Sequence, residues 1–214
     1  PVVTMLREPK SRSGSSVFSV ARVHEEGQTL FDFVVLLDNK TWKVGSSFQF
    51  LENGQDETIE DSLRLPFIKS GVEQAFDTIC IGLASAEPNE KYPNESLARD
   101  RAINLCRALI NLGYVNPSTQ NYLAVSFGEA VTSPDAPPVN YERQRSAMIV
   151  TVQQYYGDDN ADVILKSVVR AFEKYRPAGG IDLRQFSLFN ETDQYWGFRG
   201  GDYDGYGEAE WSTG

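Results

Sequence analysis

The sequence predicts an α+β fold: a two-layer sandwich in which a mixed β-sheet carries helices on one face. Three observations predict it. Residues 97–112 place Ala98, Ala102, Leu105, Leu109 and Leu112 at steps of 4, 3, 4 and 3, a continuous apolar stripe along one face of a helix. Residues 78–83 form a short apolar run of the kind that is buried on both sides of a sheet. Around them the middle of the chain reads strand, helix, strand, helix, strand, strand. At 214 residues and 41% hydrophobic content the chain has enough apolar matter for one large domain with extensions.

The elements follow in chain order. Residues 1–16 are polar, with Ser11, Ser13, Gly14, Ser15 and Ser16 clustered, and read as an arm that orders only when docked. Strands at 17–23 and 30–38, joined through Glu25, Glu26, Gly27 and Gln28, read as a β-hairpin extension occupying 17–46. A strand at 47–51 puts Phe48 and Phe50 on one face ahead of an Asn53-Gly54 turn and opens the main domain, 47–156. A helix at 66–76 starts on Pro66, where a missing amide hydrogen costs nothing. Gly113 is placed to end the helix at 97–112 in the left-handed conformation. Strands at 122–127 and 147–152 enclose a polar loop with Pro134, Pro137 and Pro138. A last helix at 161–174, capped by Asp159 or Asn160, covers the domain within 157–189. Residues 190–214 form an aromatic and acidic tail without period, a poor candidate for a core.

Composition excludes several classes. Thirty acidic against 20 basic residues leave a net charge of -10, which disfavours nucleic acid as a partner. No run approaches the ~18 consecutive apolar residues of a membrane span, so no membrane insertion is expected. One histidine, His24, and two cysteines supply too few ligands for a Cys/His zinc site and argue against a histidine triad. Cys80 and Cys106 read as two buried free thiols, a single bridge being the alternative. The spacing Asp202-x-Asp204-x-Tyr206-Gly207 starts like a calcium loop, but Thr213 stands where the closing glutamate is needed. Glu60/Asp61 and Asp158/Asp159 lie at helix starts, where acids belong. No phosphate loop or nucleophile elbow is present. The expectation is a protein that is not an enzyme, with no catalytic residues, cofactor or metal.

One constellation carries a ligand chemistry. Gly82-Leu83-Ala84-Ser85 ends a strand, with Ala86-Glu87 beyond it; Asn94 and Leu97-x-x-x-Arg101-Ala102 open a helix; Gly128-Glu129 ends the next strand; and Arg143-Gln144-Arg145 leads the last one. In this order and spacing, over about residues 47–152, the chain resembles the OmpA C-terminal-like family, whose members bind peptidoglycan. The resemblance implies a βαβαββ core. It also implies a site in which the helix arginine, here Arg101, grips a stem-peptide carboxylate while a strand-end aspartate holds an ammonium. Two parallel hydrogen bonds from a guanidinium suit a carboxylate. Ser85 stands where the aspartate belongs and supplies no charge, leaving Glu87 as the nearest acid. The ligand-binding candidates are therefore Ser85, Glu87, Asn94, Arg101 and Arg145, with Arg143 beside them. The bland reading has Arg101 snorkelling to solvent or pairing with Glu87 or Asp100, and the other two arginines flanking an edge strand.

Two functions compete. The first is a non-catalytic structural or assembly subunit that grips protein partners, or its own copies, through its terminal segments. Tyr195, Trp196, Phe198, Tyr203, Tyr206 and Trp211 are its anchors, since aromatics dominate protein interfaces. The alternative is a peptidoglycan-binding module that anchors to the cell wall. The chain opens Pro-Val-Val with no visible signal peptide. If one was removed the location is the periplasm or cell envelope; otherwise it is the cytoplasm or a larger particle.

Overall fold

The structure, a computed structural model, describes residues 2–7, 18–25, 29–36, 40–87, 93–131, 141–155, 183–187 and 195–198. They build an α+β molecule on a seven-stranded mixed sheet. Its strands are β1 (Val2–Arg7), β2 (Phe18–Glu25), β3 (Thr29–Leu36), β7 (Asp77–Ala84), β8 (Asn121–Glu129), β9 (Met148–Tyr155) and β10 (Tyr195–Phe198). They lie in the order β1-β2-β3-β9-β7-β8-β10, with β7 and β8 parallel and every other pair antiparallel. A separate small sheet has the order β4-β5-β6, from β4 (Lys40–Trp42), β5 (Gln49–Glu52) and β6 (Gln55–Thr58). Helices α1 (Ile59–Leu63), α2 (Pro66–Glu73), α3 (Asn94–Asn111) and α4 (Tyr141–Gln144) complete the described elements, with a 3-10 turn at Leu183–Gln185. The sequence β3, α1–α2, β7, α3, β8, β9 is the βαβαββ pattern.

Local chemistry explains the helix boundaries. Thr58 caps α1, its Oγ1 accepting from the Asp61 amide at 3.1 Å. Pro66 is the first residue of α2. At the far end of α2 the Gln120 side chain donates to the carbonyls of Val72 and Ala75, at 3.0 and 3.1 Å. Gly113, at φ 71°, closes α3: its amide donates to Ile110 O at 2.8 Å and the Tyr114 amide to Leu109 O at 2.9 Å. That pair of bonds consumes carbonyls the helix end leaves over.

The main core lies on the α3 face of the sheet. Cys80, Tyr122, Ala124 and Ile149 of the strands meet Ala102, Leu105, Cys106 and Leu109 of α3. Ile59, Leu63, Ile68 and Val72 of α1 and α2 join the same cluster, as do Trp42 and Phe50 from the small sheet. All eight residues of β7 are buried, so it is the central strand that its apolar run predicts. One glycine sets the spacing of the layers. A Cβ on Gly82 would lie 1.8 Å from Ala98 O and 2.8 Å from Ala102 N, so α3 rests directly on the backbone of β7.

The structure differs from the sequence reading in four places. Cys80 and Cys106 are not free thiols but a disulfide with Cα atoms 5.7 Å apart, tying β7 to α3. The stretch 47–51 enters the small sheet only from Gln49, with Phe50 buried and Phe48 exposed outside the strand; the position beside β9 in the main sheet goes to β3, which pairs from Thr29↔Tyr155 to Val35↔Met148. Val2–Arg7, read as part of a polar arm, pairs with β2. Within the tail, Tyr195–Phe198 pairs with the outer edge of β8, from Tyr195↔Val125 to Phe198↔Tyr122. An edge strand presents unpaired amides and carbonyls, and backbone pairing there needs no apolar periodicity from the strand that joins it. The helix expected at 161–174 lies outside the described residues, as do Tyr203, Tyr206, Trp211 and the calcium-like spacing.

Two measurements check this packing. Gly82→Ala is expected to lower unfolding free energy in urea by about 3 kcal/mol or more, because the new methyl meets backbone and not a flexible side chain. Reduction of the disulfide, which links positions 26 apart, is expected to remove about 3.5 kcal/mol on the loop-entropy scale. The unfolded, unreduced chain should show no titratable thiol, and both thiols should appear after reduction.

Candidate functional site

Because β7 and β8 run parallel, the connection from β7 to α3 leaves at their carboxyl ends, and the start of β9 returns to the same end. This topology gathers residues far apart in sequence. Ser85, at the end of β7, is buried at 6% exposure. The next amide, Ala86 N, donates to Gln144 Oε1 at 3.0 Å. Glu87 then turns back so that its carboxylate accepts from Arg145 Nη1 at 2.5 Å, with side-chain exposures of 33% for the acid and 7% for the base. Asn94, the first residue of α3, donates from Nδ2 to Glu87 O at 3.2 Å. Four of the five expected ligand residues, Ser85, Glu87, Asn94 and Arg145, thus meet at one mouth. The side chain of Arg143 is outside those described.

Arg101 is in a different situation. It faces the sheet from the second turn of α3 and is 1% exposed. Its Nε donates to Ser46 O at 3.0 Å, Nη1 to Leu83 O at 2.8 Å and Nη2 to Lys43 O at 3.2 Å. The guanidinium carbon lies 5.4 Å from the centroid of the Trp42 ring, which is itself stacked on Phe50 at 4.3 Å. Neither solvent snorkelling nor an acid partner is observed: among the described residues its donors go to backbone carbonyls and its face to an indole. Burial, and secondarily the nearby Arg145 guanidinium, pull its pKa down from the usual guanidinium range to about 9, so it remains a cation at neutral pH.

The carbonyls are supplied by an uncommon route. Residues 43–46 form the turn between β4 and β5, held by Lys43 N to Gln49 O at 3.0 Å and by Ser46 Oγ, which accepts from the Gln49 amide at 3.1 Å. Asn104 Nδ2, almost one turn further along α3, donates to Ser47 O at 2.9 Å. Trp42 N donates to Arg145 O at 2.9 Å, so the small sheet is joined both to Arg101 and to the strand-leading arginine.

The sequence reading missed Trp42, Ser46 and Gln144 as parts of this arrangement. Gln144 stands within the quoted Arg143-Gln144-Arg145 motif, and its side chain holds the strand-end loop together with that of Arg145. Trp42 carried a weaker signal: a lone indole between polar residues ahead of a Gly turn. Of the tail aromatics, the structure puts Tyr195, Trp196 and Phe198 in β10, as the outer strand of the main sheet. Among the described residues no group of three or more His, Cys, Asp or Glu is placed to share a metal ion, and no helix is long and apolar enough to cross a membrane.

Arg101→Ala is expected to lower stability by about 3–5 kcal/mol, since three carbonyls lose their donor inside the protein. Arg101→Lys should recover only part of it, because one ammonium cannot reproduce the fork that spans three acceptors. Urea titrations of the two variants beside the wild type check both statements.

No family model and no curated protein matches the chain. Among solved structures it is similar to a periplasmic domain of MotB, at 17% identity over 83% of this chain and 85% of that one, with a TM-score of 0.42. Two structures of the periplasmic domain of Helicobacter pylori MotB are also similar, each at 16% identity. One covers 79% of this chain and 99% of its own with a TM-score of 0.37, the other 82% and 98% with a TM-score of 0.40.

Proposed function

We propose that the chain is a non-catalytic, OmpA-like module of the cell envelope that binds the stem peptide of peptidoglycan at the mouth beyond β7. One observation carries this reading: the Glu87 carboxylate stands at that mouth, oriented by Arg145 and one-third exposed. The sequence resemblance requires an acid for the stem ammonium, and Ser85 does not supply it. Glu87 provides the missing charge two residues later, on a loop fixed by Gln144 and Asn94. An oriented carboxylate loses less freedom on meeting a cation than a mobile one, which favours recognition. The disulfide agrees with an envelope location, because such bonds persist in oxidising compartments.

A second reading, the assembly subunit that keeps the fold and grips proteins, is favoured by a different observation. Arg101, the residue matching the family's carboxylate grip, is 1% exposed and spends its donors on carbonyls. On the wall-binding reading Arg101 therefore positions the turn and the strand end, and does not touch the ligand.

Sedimentation with purified peptidoglycan separates the two. The wild type is expected to co-sediment, and Glu87→Gln to weaken the apparent affinity about tenfold with the circular dichroism spectrum unchanged, the loss of one charge-assisted contact. A folded wild type that stays in the supernatant rejects wall binding and leaves the assembly reading.

A further inference from the structure

We propose that the interior junction of Trp42, Arg101 and Arg145 binds one small monovalent anion of halide size. Two fully buried donors on this junction have no partner among the described residues: Trp42 Nε1 and Arg145 Nε. They belong to residues joined by a backbone hydrogen bond, Trp42 N to Arg145 O at 2.9 Å. The Arg101 guanidinium carbon is 5.4 Å from the Trp42 ring, and the Arg145 charge is near enough to help lower the Arg101 pKa. Buried N–H groups are almost always paired, so two orphans on neighbouring residues ask for a common acceptor.

Charge narrows the class of acceptor. The junction carries two guanidinium cations, while Glu87 is the carboxylate paired to it and is itself turned partly to solvent. A water would satisfy donors and leave the excess positive charge; an anion does both. Size narrows it further. Trp42 is wholly buried, Arg101 is 1% exposed and Arg145 6% exposed, so a sugar acid or a peptide carboxylate has no way in. A halide accepts several N–H donors without needing a particular direction, which suits an indole and a guanidinium carried on different elements. This inference does not rest on wall binding: the site lies inside the module, beneath the mouth.

The test uses the full chain at constant ionic strength, with sodium gluconate replaced stepwise by sodium chloride or bromide. The melting temperature is expected to climb with the logarithm of halide concentration, as it does for any ligand held by the folded state alone. Trp42→Phe keeps the ring stacked on Phe50 and removes one donor; Arg145→Lys keeps the charge and removes the other. Each is expected to raise the halide concentration for half-maximal stabilisation about tenfold, the size of one lost hydrogen bond to a charged group. Crystals soaked in bromide should show an anomalous peak within hydrogen-bond reach of Arg145 Nε. Equal melting curves in gluconate and chloride would overturn the proposal. So would bromide peaks confined to the surface, or variants that keep the full halide response. If one variant does not fold, the other variant and the wild-type soak still decide. Peptidoglycan sedimentation in gluconate reports on the mouth alone and separates failure here from failure of the proposed function.

Discussion

The arrangement at the carboxyl end of β7 depends on how closely α3 can approach the sheet. Gly82 has no side chain, and Ala98 and Ala102 are the helix residues directly above it, so backbone meets backbone. The Cys80–Cys106 bridge closes the same interface on its far side. A helix pressed this close leaves little depth for a long side chain between the layers. Arg101, placed between Ala98 and Ala102, extends to the end of the strand and finds Leu83 O there. The cation is then held in the interior only because the turn at 43–46 brings two more carbonyls and Trp42 brings its ring face. A buried charge without such partners would cost several kcal/mol. The small sheet thus supplies acceptors to Arg101 as well as covering it.

Much of the main sheet was legible because its signals are local. The stripe along α3 and the apolar run of β7 state their own burial, and Gly113 states where the helix ends. Pairing is a different kind of information. The alternation at 47–51 announces a half-buried strand, but says nothing of which strand lies beside it. Phe50 does turn into the core, yet in the small sheet; β3 takes the place next to β9. The cysteines fail for the same reason. Whether two thiols bridge depends on a Cα separation of 5.7 Å across two elements, which no spacing in the sequence encodes.

That several of the candidate residues lie together was legible in the sequence; the direction of their charges was not. Ser85, Glu87, Asn94 and Arg145 were named from the order of short motifs, and a separation of 58 residues between Glu87 and Arg145 closes to an ion pair. What the motifs do not carry is direction. An arginine on an apolar helix edge looks the same in sequence whether it points to a ligand or to carbonyls. The outcome was decided by residues outside the motifs, Trp42 and the turn that follows it.

That outcome changes the polarity of the mouth. Both buried arginines are turned inward or neutralised: Arg101 onto carbonyls, Arg145 onto Glu87. The more exposed member of the Arg145–Glu87 pair is the carboxylate, on a chain whose net charge is -10. On the proposed reading, a zwitterionic stem peptide would therefore meet this module through its ammonium first, and its own carboxylates would be repelled by the surrounding surface at low salt. A site built around an exposed arginine would do the reverse. On that reading, the uncharged Ser85 at the strand end and the buried Arg101 belong together. Once the Arg101 guanidinium is spent on holding the fold, an acid directly against it would pair with it in the interior, whereas Glu87, paired with Arg145, keeps its carboxylate one-third exposed.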